Sequence, residues 1–128
     1  MVIDSSPLAA ILFHESDASV YVSAILNDVT RVVSAATLLE TSMVVTDQLK
    51  GSSVEALDEL VLKLNLVIVP VDYEQVIAAR EAFRLYGKGR HPAGLNFGDC
   101  FSYALAKVKG ERLLFKGNDF ALTDIERA

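Results

Sequence analysis

Four carboxylates occupy positions where acids can gather around a ligand: Asp4, Glu40, Asp99 and Asp119. Asp4 directly follows the apolar pair Val2–Ile3, and Asp119 comes shortly after Leu113–Phe115, so both sit at the carboxyl ends of strand-like segments. Asp99 lies three residues after Asn96, in the first turn of a predicted helix. Glu40 shares spacings of three and four with Ala36, Met43 and Val44, which reads as an apolar stripe. A carboxylate turned inward is costly unless its charge is compensated. Each acid also has a plain structural explanation: a turn for Asp4, a helix cap for Asp99, a loop for Asp119, a boundary position for Glu40. At one crevice, however, they would repel each other by ~1–4 kcal/mol per close pair. No Lys or Arg is placed in the sequence to offset this near Asp4 or Glu40. A hard divalent cation, Mg2+ or Mn2+, would do so, taking carboxylate oxygens while keeping waters for a phosphate ligand.

The elements that must position these acids alternate between strands and helices. Ser6–Pro7 has the pattern of an N-cap followed by a first-position proline, predicting a helix to about His14. A second helix is predicted over Asp17–Asp28, then a β-branched strand over Arg31–Ser34. Helices follow over Ala36–Leu49 and Val54–Leu64, separated by a Gly51-Ser52-Ser53 break. Leu66–Val71 reads as the clearest strand, a buried run of Val and Ile. Tyr73–Tyr86 is helical, with Val76, Ile77, Ala79, Ala82, Phe83 and Tyr86 on its apolar side. After an irregular stretch, Gly87–Leu95, Asn96 caps a helix to about Lys109 with Asp99 as its capping-box acid. Leu113–Phe115 is the last strand, and Asp119–Ala128 turns into a small helix. Alternation of this kind predicts an α/β domain with a mostly parallel sheet and helices on both faces. Ligands of such sheets bind beyond the carboxyl ends of the strands, where Asp4 and Asp119 fall.

Composition sets the outer bounds. A chain of 128 residues, 52% apolar and 23% charged, suits one globular domain spanning 1–128 that buries a core without disulfides. The single cysteine, Cys100, excludes a disulfide framework and any multi-cysteine metal site, and reads as a buried helix residue. No apolar run approaches the roughly 18–20 residues of a membrane span, and no secretory signal pattern opens the chain, so the expectation is a cytoplasmic protein without a membrane partner. The net charge of −5 is unevenly spread: three basic against eleven acidic residues up to Ala79, nine against six from Arg80 onward. That asymmetry is a cue for a charged partner or a solvated helix face. With the four acids neutralised by a cation, thirteen acids face twelve basic residues, and a polyanion is no longer repelled overall.

The ordered set Asp4-Ser5-Ser6 after a first strand, Glu40 in the third helix, Leu95-Asn96-Phe97-Gly98-Asp99-Cys100, and Asp119-Phe120 resembles the PIN-domain ribonucleases. Within them it is similar to the VapC toxins of VapBC toxin–antitoxin pairs, over nearly the whole chain, and Tyr86–His91 looks like one subfamily of these. The resemblance implies a three-layer, Rossmann-like PIN fold and a Mg2+-dependent endoribonuclease, with Mn2+ as an alternative ion. Asp4, Glu40 and Asp99 match the family's acidic triad. At the fourth position many members carry Thr-x-Asp with a second acid two residues on; here Phe115 and Gly117 replace the first two, leaving Asp119, with Asn118 beside it. The resemblance further implies a homodimer and inhibition by a small VapB-like antitoxin docked in the active-site groove.

Substrate contacts are expected from Ser6, as the holder of a metal-bound water, and from Arg84, Lys88, Arg90 and His91 as phosphate contacts to RNA. Ser6 reads equally as a helix cap, and the basic segment equally as a solvated loop. The alternatives are a PIN nuclease of RNA processing that is no toxin, and a catalytically degenerate PIN domain that only binds a partner; three intact acids argue against the latter. A phosphoacceptor receiver domain fits poorly, because one acid and two serines follow the first strand, and no Gly-rich phosphate loop follows Ile3.

Overall fold

The structure, a computed structural model, describes residues 1–49, 51 and 53–128; Ser52 of the expected Gly51–Ser53 break lies outside the described residues. In chain order the elements are β1 (Val2–Ile3), α1 (Ser5–Leu12), α2 (Ala18–Leu26), β2 (Val32–Ser34), α3 (Ala35–Gln48), α4 (Ser53–Lys63), β3 (Val67–Val69), α5 (Tyr73–Tyr86), α6 (Phe97–Lys109) and β4 (Leu113–Leu114). A single 3-10 turn, Phe120–Leu122, follows. The four strands form one sheet in the order β3-β2-β1-β4, every pair parallel.

Alternation along the strands divides the core. Val2, Val32 and Leu113 face a cluster built with Ala82 of α5 and Cys100, Tyr103 and Ala106 of α6. Ile3, Val33 and Leu114 face the opposite cluster, with Leu8 of α1, Ile25 of α2, and Leu57 and Val61 of α4. Side chains on a strand alternate between faces, so two helical layers are needed to cover this sheet. The expected three-layer α/β architecture is therefore observed. Strand order places the crevice. From β1 the chain steps outward to β2 and β3, then returns to β4 on the other side of β1. The carboxyl ends of β1 and β4 thus flank the switch point where open parallel sheets bind ligands.

Four local expectations are corrected. The first helix is capped by Asp4 rather than Ser6: Ser6 N donates to Asp4 Oδ2 at 3.1 Å, and Ser5 is already helical. Pro7 is tolerated because N–H groups in a helix's first turn have no intrahelical partner anyway. The stretch Leu66–Val71 contains only the three-residue β3, and Val67 and Ile68 are 60% and 45% exposed. As the edge strand it lies beyond the reach of the helical layers. On α3 the buried positions are Thr37, Thr41 and Val45, whereas Met43 is 63% exposed, so Glu40 does not lie on a stripe with Met43. Finally, the small helix expected within Asp119–Ala128 is only a 3-10 turn, Phe120–Leu122, and the last residues instead pair with β4: Leu113 N donates to Glu126 O and Ala128 N to Leu113 O, both at 2.9 Å. This cover protects the outer edge of β4 from pairing with another chain.

Tyr73–Tyr86 and Phe97–Lys109 match expectation, because their caps are local: Asp72 receives Gln75 N, and Asn96 and Asp99 form a reciprocal capping box at 2.9 Å in both directions. Among the described residues no helix is long and apolar enough to cross a membrane.

Candidate active site

Asp4 follows β1 and is 3% exposed. Its Oδ2 accepts from Ser6 N at 3.1 Å and from the Ser6 hydroxyl at 2.6 Å; its Oδ1 accepts from the Ser102 hydroxyl at 2.7 Å. The Ser6 oxygen in turn accepts from Lys116 N at 3.0 Å, tying the end of β1 to the segment after β4. Three donors therefore hold a carboxylate that is otherwise withdrawn from water, which is the condition for burying a charge.

Glu40, half-buried on α3, reaches over the first turn of α6. It lies so close to Gly98 that a Cβ there would collide with its carboxylate, which makes Gly98 a close-approach glycine. Burial raises the pKa of Glu40, the charge of Asp4 adds to this, and the Ser5 hydroxyl opposes it. Asp99 sits one residue further along α6. Burial pushes its carboxyl up to about 6 against the lowering by the Asn96 N–H, with the charges of Asp4, Asp119 and Glu40 pushing the same way as burial. Asp119 is exposed at the head of the 3-10 turn. The charges of Asp4, Glu40 and Asp119 thus all bear on the Asp99 carboxyl, although the four acids arise from four separate segments.

Cations are near but engaged elsewhere. The Lys116 ammonium, beside this site through its backbone, is paired with Glu15 and Asp17. Among the described residues none of the four acids has a Lys or Arg partner within salt-bridge distance. Nor, among these residues, do three or more His, Cys, Asp or Glu side chains lie together closely enough to hold a metal ion between them. Unpaired carboxylates in an open arrangement suit a hard, water-retaining divalent ion, which needs only one or two protein carboxylates.

Repulsion at this point has a measurable sign. A proton binds Asp99 more tightly in the folded protein than in the unfolded chain, so its contribution favours folding below about pH 4 and is lost as pH rises through about 6. In EDTA, Asp99→Asn should therefore melt a few degrees above wild type at pH 7.5. The gain is about 1 kcal/mol after allowance for the group's partial exposure. At pH 4 the two should coincide. Thermal melts at both pH values check this, and a difference independent of pH would refute it.

The basic segment is less uniform than its composition. Arg84 is bound bidentately to Glu81 at 2.5 and 2.9 Å. Lys88 is exposed, and Arg90 lies over the Phe83 ring at 5.2 Å. His91 is half-buried, its Nδ1 accepting from Ala93 N at 3.1 Å and its ring edge-on to Tyr86. The segment is pinned at its base, where Lys88 N donates to Leu95 O and Leu95 N to Tyr86 O, and leads straight into Asn96 and α6. Cys100 is buried, which raises its thiol to about 11 and leaves it protonated. The hydroxyls of Ser102 and Thr37, the close approach at Gly98 and the engaged Lys116 were not singled out by sequence reasoning. Only the small size of Gly98 beside Asp99 was a usable signal for any of them.

A family model for the PIN domain matches residues 1–126. Ribonuclease VapC of Mycolicibacterium smegmatis is 50% identical over 125 residues, covering 98% of this chain and 97% of the relative. Ribonuclease VapC30 of Mycobacterium tuberculosis is 48% identical over 125 residues, covering 98% of this chain and 95% of the relative. The crystal structure of Mycobacterium tuberculosis VapC20, described as a sarcin–ricin loop cleaving toxin, superposes with a TM-score of 0.80 over 99% of this chain and 97% of that one; at 16% identity it speaks for the fold. The chain belongs to the PIN-domain family and, within it, to the VapC ribonucleases.

Proposed function

We propose that this protein is a divalent-metal-dependent endoribonuclease, the toxin half of a VapBC-type pair, with its whole length as one catalytic domain. The reading is supported by the Glu40 carboxylate lying against Gly98, next to Asp99, by the charges of Asp4, Glu40 and Asp119 that raise the Asp99 carboxyl, and by the lack, among the described residues, of a Lys or Arg partner for any of the four. Asp4 and Asp99 would hold Mg2+, or Mn2+, with Glu40 and Asp119 completing the acidic ring and Asn118 beside it. When bound, the ion supplies Lewis acidity, lowering the pKa of an attacking water and offsetting charge on the scissile phosphate. The chain's own part is positional. Asp4 is fixed by its three donors, and Asp99 is held by the capping box. Glu40 lies against Gly98 at the positive end of α6, where a developing negative charge is also favoured. Ser6, whose hydroxyl hydrogen is committed to Asp4, keeps its remaining lone pair for a water at the site's edge.

RNA cleavage that requires Mg2+ and stops in EDTA tests this reading directly. Undiminished cleavage in EDTA would overturn it. The toxin assignment adds a VapB-like antitoxin and a homodimer. A protein partner is supported by the apolar groove of about 570 Å³ between α5 and α6, lined by Val76, Phe83, Phe97 and Phe101, with Phe97 81% exposed. A small antitoxin reading frame beside this one would distinguish a toxin from an RNA-processing nuclease.

The basic segment is assigned to the substrate. Lys88, Arg90 and His91, with Arg84 when freed from Glu81, would contact RNA phosphates, which govern affinity more than chemistry. Lys88→Ala with Arg90→Ala should weaken RNA binding about equally across sequences and reduce the slope of log affinity against log salt by up to about 2. Binding isotherms at several salt concentrations check this; coincident curves for wild type and double variant would remove the segment from RNA binding.

A further inference from the structure

Ser102 and Thr37 are both fully buried, and their hydroxyls lie 3.1 Å apart, 65 residues apart in sequence. On α3, the Thr41 and Ser42 hydroxyls follow the common helical habit of donating back to a carbonyl four residues earlier, Thr41 to Thr37 O and Ser42 to Leu38 O. Ser102 does not. Its hydroxyl reaches out of α6 to Asp4 Oδ1 at 2.7 Å. Counting hydrogens fixes the direction. An ionised carboxylate only accepts, so Ser102 spends its one hydrogen on Asp4, and the hydrogen between the two hydroxyls must come from Thr37.

The placement of this chain gives it consequence. Thr37 lies one helical turn before Glu40 on α3, and Ser102 one turn after Asp99 on α6. The link Thr37–Ser102–Asp4 thus bolts together the three elements that carry the three triad acids. It also settles which lone pair of Asp4 is left. A carboxylate offers about four; Oδ2 uses two on Ser6, and Oδ1 uses one on Ser102.

We propose that Ser102, backed by Thr37, is a positioning residue that orients the Asp4 carboxylate so that Oδ1 keeps its one uncommitted lone pair for a divalent cation. This rests on the metal-dependent reading above. Side chains that orient a ligating group typically change metal affinity about ten- to a hundredfold when removed. Mn2+ alone, bound to the full chain without RNA and followed by electron paramagnetic resonance, is the probe. Ser102→Ala is expected to weaken Mn2+ binding at least about tenfold, and the metal-free protein should also melt lower, because Asp4 Oδ1 and the buried Thr37 hydroxyl each lose a partner. Cleavage by the variant should need proportionately more metal and recover substantially at saturation. Thr37→Val should show a smaller loss of the same kind, and Thr37→Ser, which keeps the hydroxyl, should behave as wild type. If Ser102→Ala fails to fold, the Thr37 pair carries the comparison alone. Wild-type Mn2+ affinity in both Ser102→Ala and Thr37→Val would overturn the positioning role while leaving the metal-dependent reading intact. Absence of Mn2+ binding by wild type would overturn both.

Discussion

Asp4→Asn is expected to abolish RNA cleavage, by roughly a thousandfold or more, in a protein that still folds. The hydrogen-bond geometry explains why these two outcomes should separate. Asp4 Oδ2 receives a backbone N–H and a hydroxyl from Ser6, and neither donor can be satisfied by an amide NH2. The asparagine must therefore keep its oxygen toward Ser6 and turn its NH2 toward Ser102. That side can adapt: the amide donates to the Ser102 oxygen, and Ser102 donates its own hydrogen on to Thr37. The Ser6 donors, the amide oxygen and the Ser102 hydroxyl all keep partners, which limits the penalty of unsatisfied polar atoms. What cannot be recovered is the free lone pair and the negative charge, both of which a divalent ion requires. Circular dichroism, a melting curve and a cleavage assay on the same preparation check the prediction. A folded variant with wild-type cleavage would remove Asp4 from the chemistry.

Gly98→Ala is expected to lower cleavage by about ten- to a hundredfold while leaving stability equal or slightly higher. Alanine is intrinsically the better helix residue, by up to about 1 kcal/mol in a helix interior and less in the first turn. The backbone at Gly98 is helical, so conformational strain plays no part. The obstacle is the Glu40 carboxylate, lying where the new Cβ would go. Glu40 would have to swing off the first turn of α6 and away from Asp99, so activity and stability should move in opposite directions. A double-mutant cycle isolates the cause: if Gly98 acts through Glu40, adding Gly98→Ala to Glu40→Ala should cost little more than Glu40→Ala alone. Full activity of Gly98→Ala, or strict additivity in the cycle, would refute the account.

The parts of this protein readable from its sequence are those whose causes lie within a few residues of one another. Asn96 and Asp99 are three positions apart, so their capping box, and with it the start of α6, could be stated in advance. The same holds for the span of α5 behind Asp72, for the alternation that demands helices on both faces, and for Asp4 at the carboxyl end of the first strand. The ordered acids also carried the family resemblance, which the family match over residues 1–126 supports. Misreadings began where burial depended on a partner far away in the chain. Leu66–Val71 has the composition of a central strand, but strand order puts it at the edge. Met43 has the spacing of a core residue, but α3 turns its threonines inward instead. Lys116 looks like any basic residue after a strand until Glu15 and Asp17 engage its ammonium across 101 and 99 positions of sequence. The site divides in the same way. Local capping and strand-end placement set which carboxylates could meet. Only tertiary packing decided that Glu40 rests on Gly98 and that Thr37 and Ser102 brace Asp4, because those contacts span 58, 65 and 98 residues and exist only once α3 and α6 are docked beside β1.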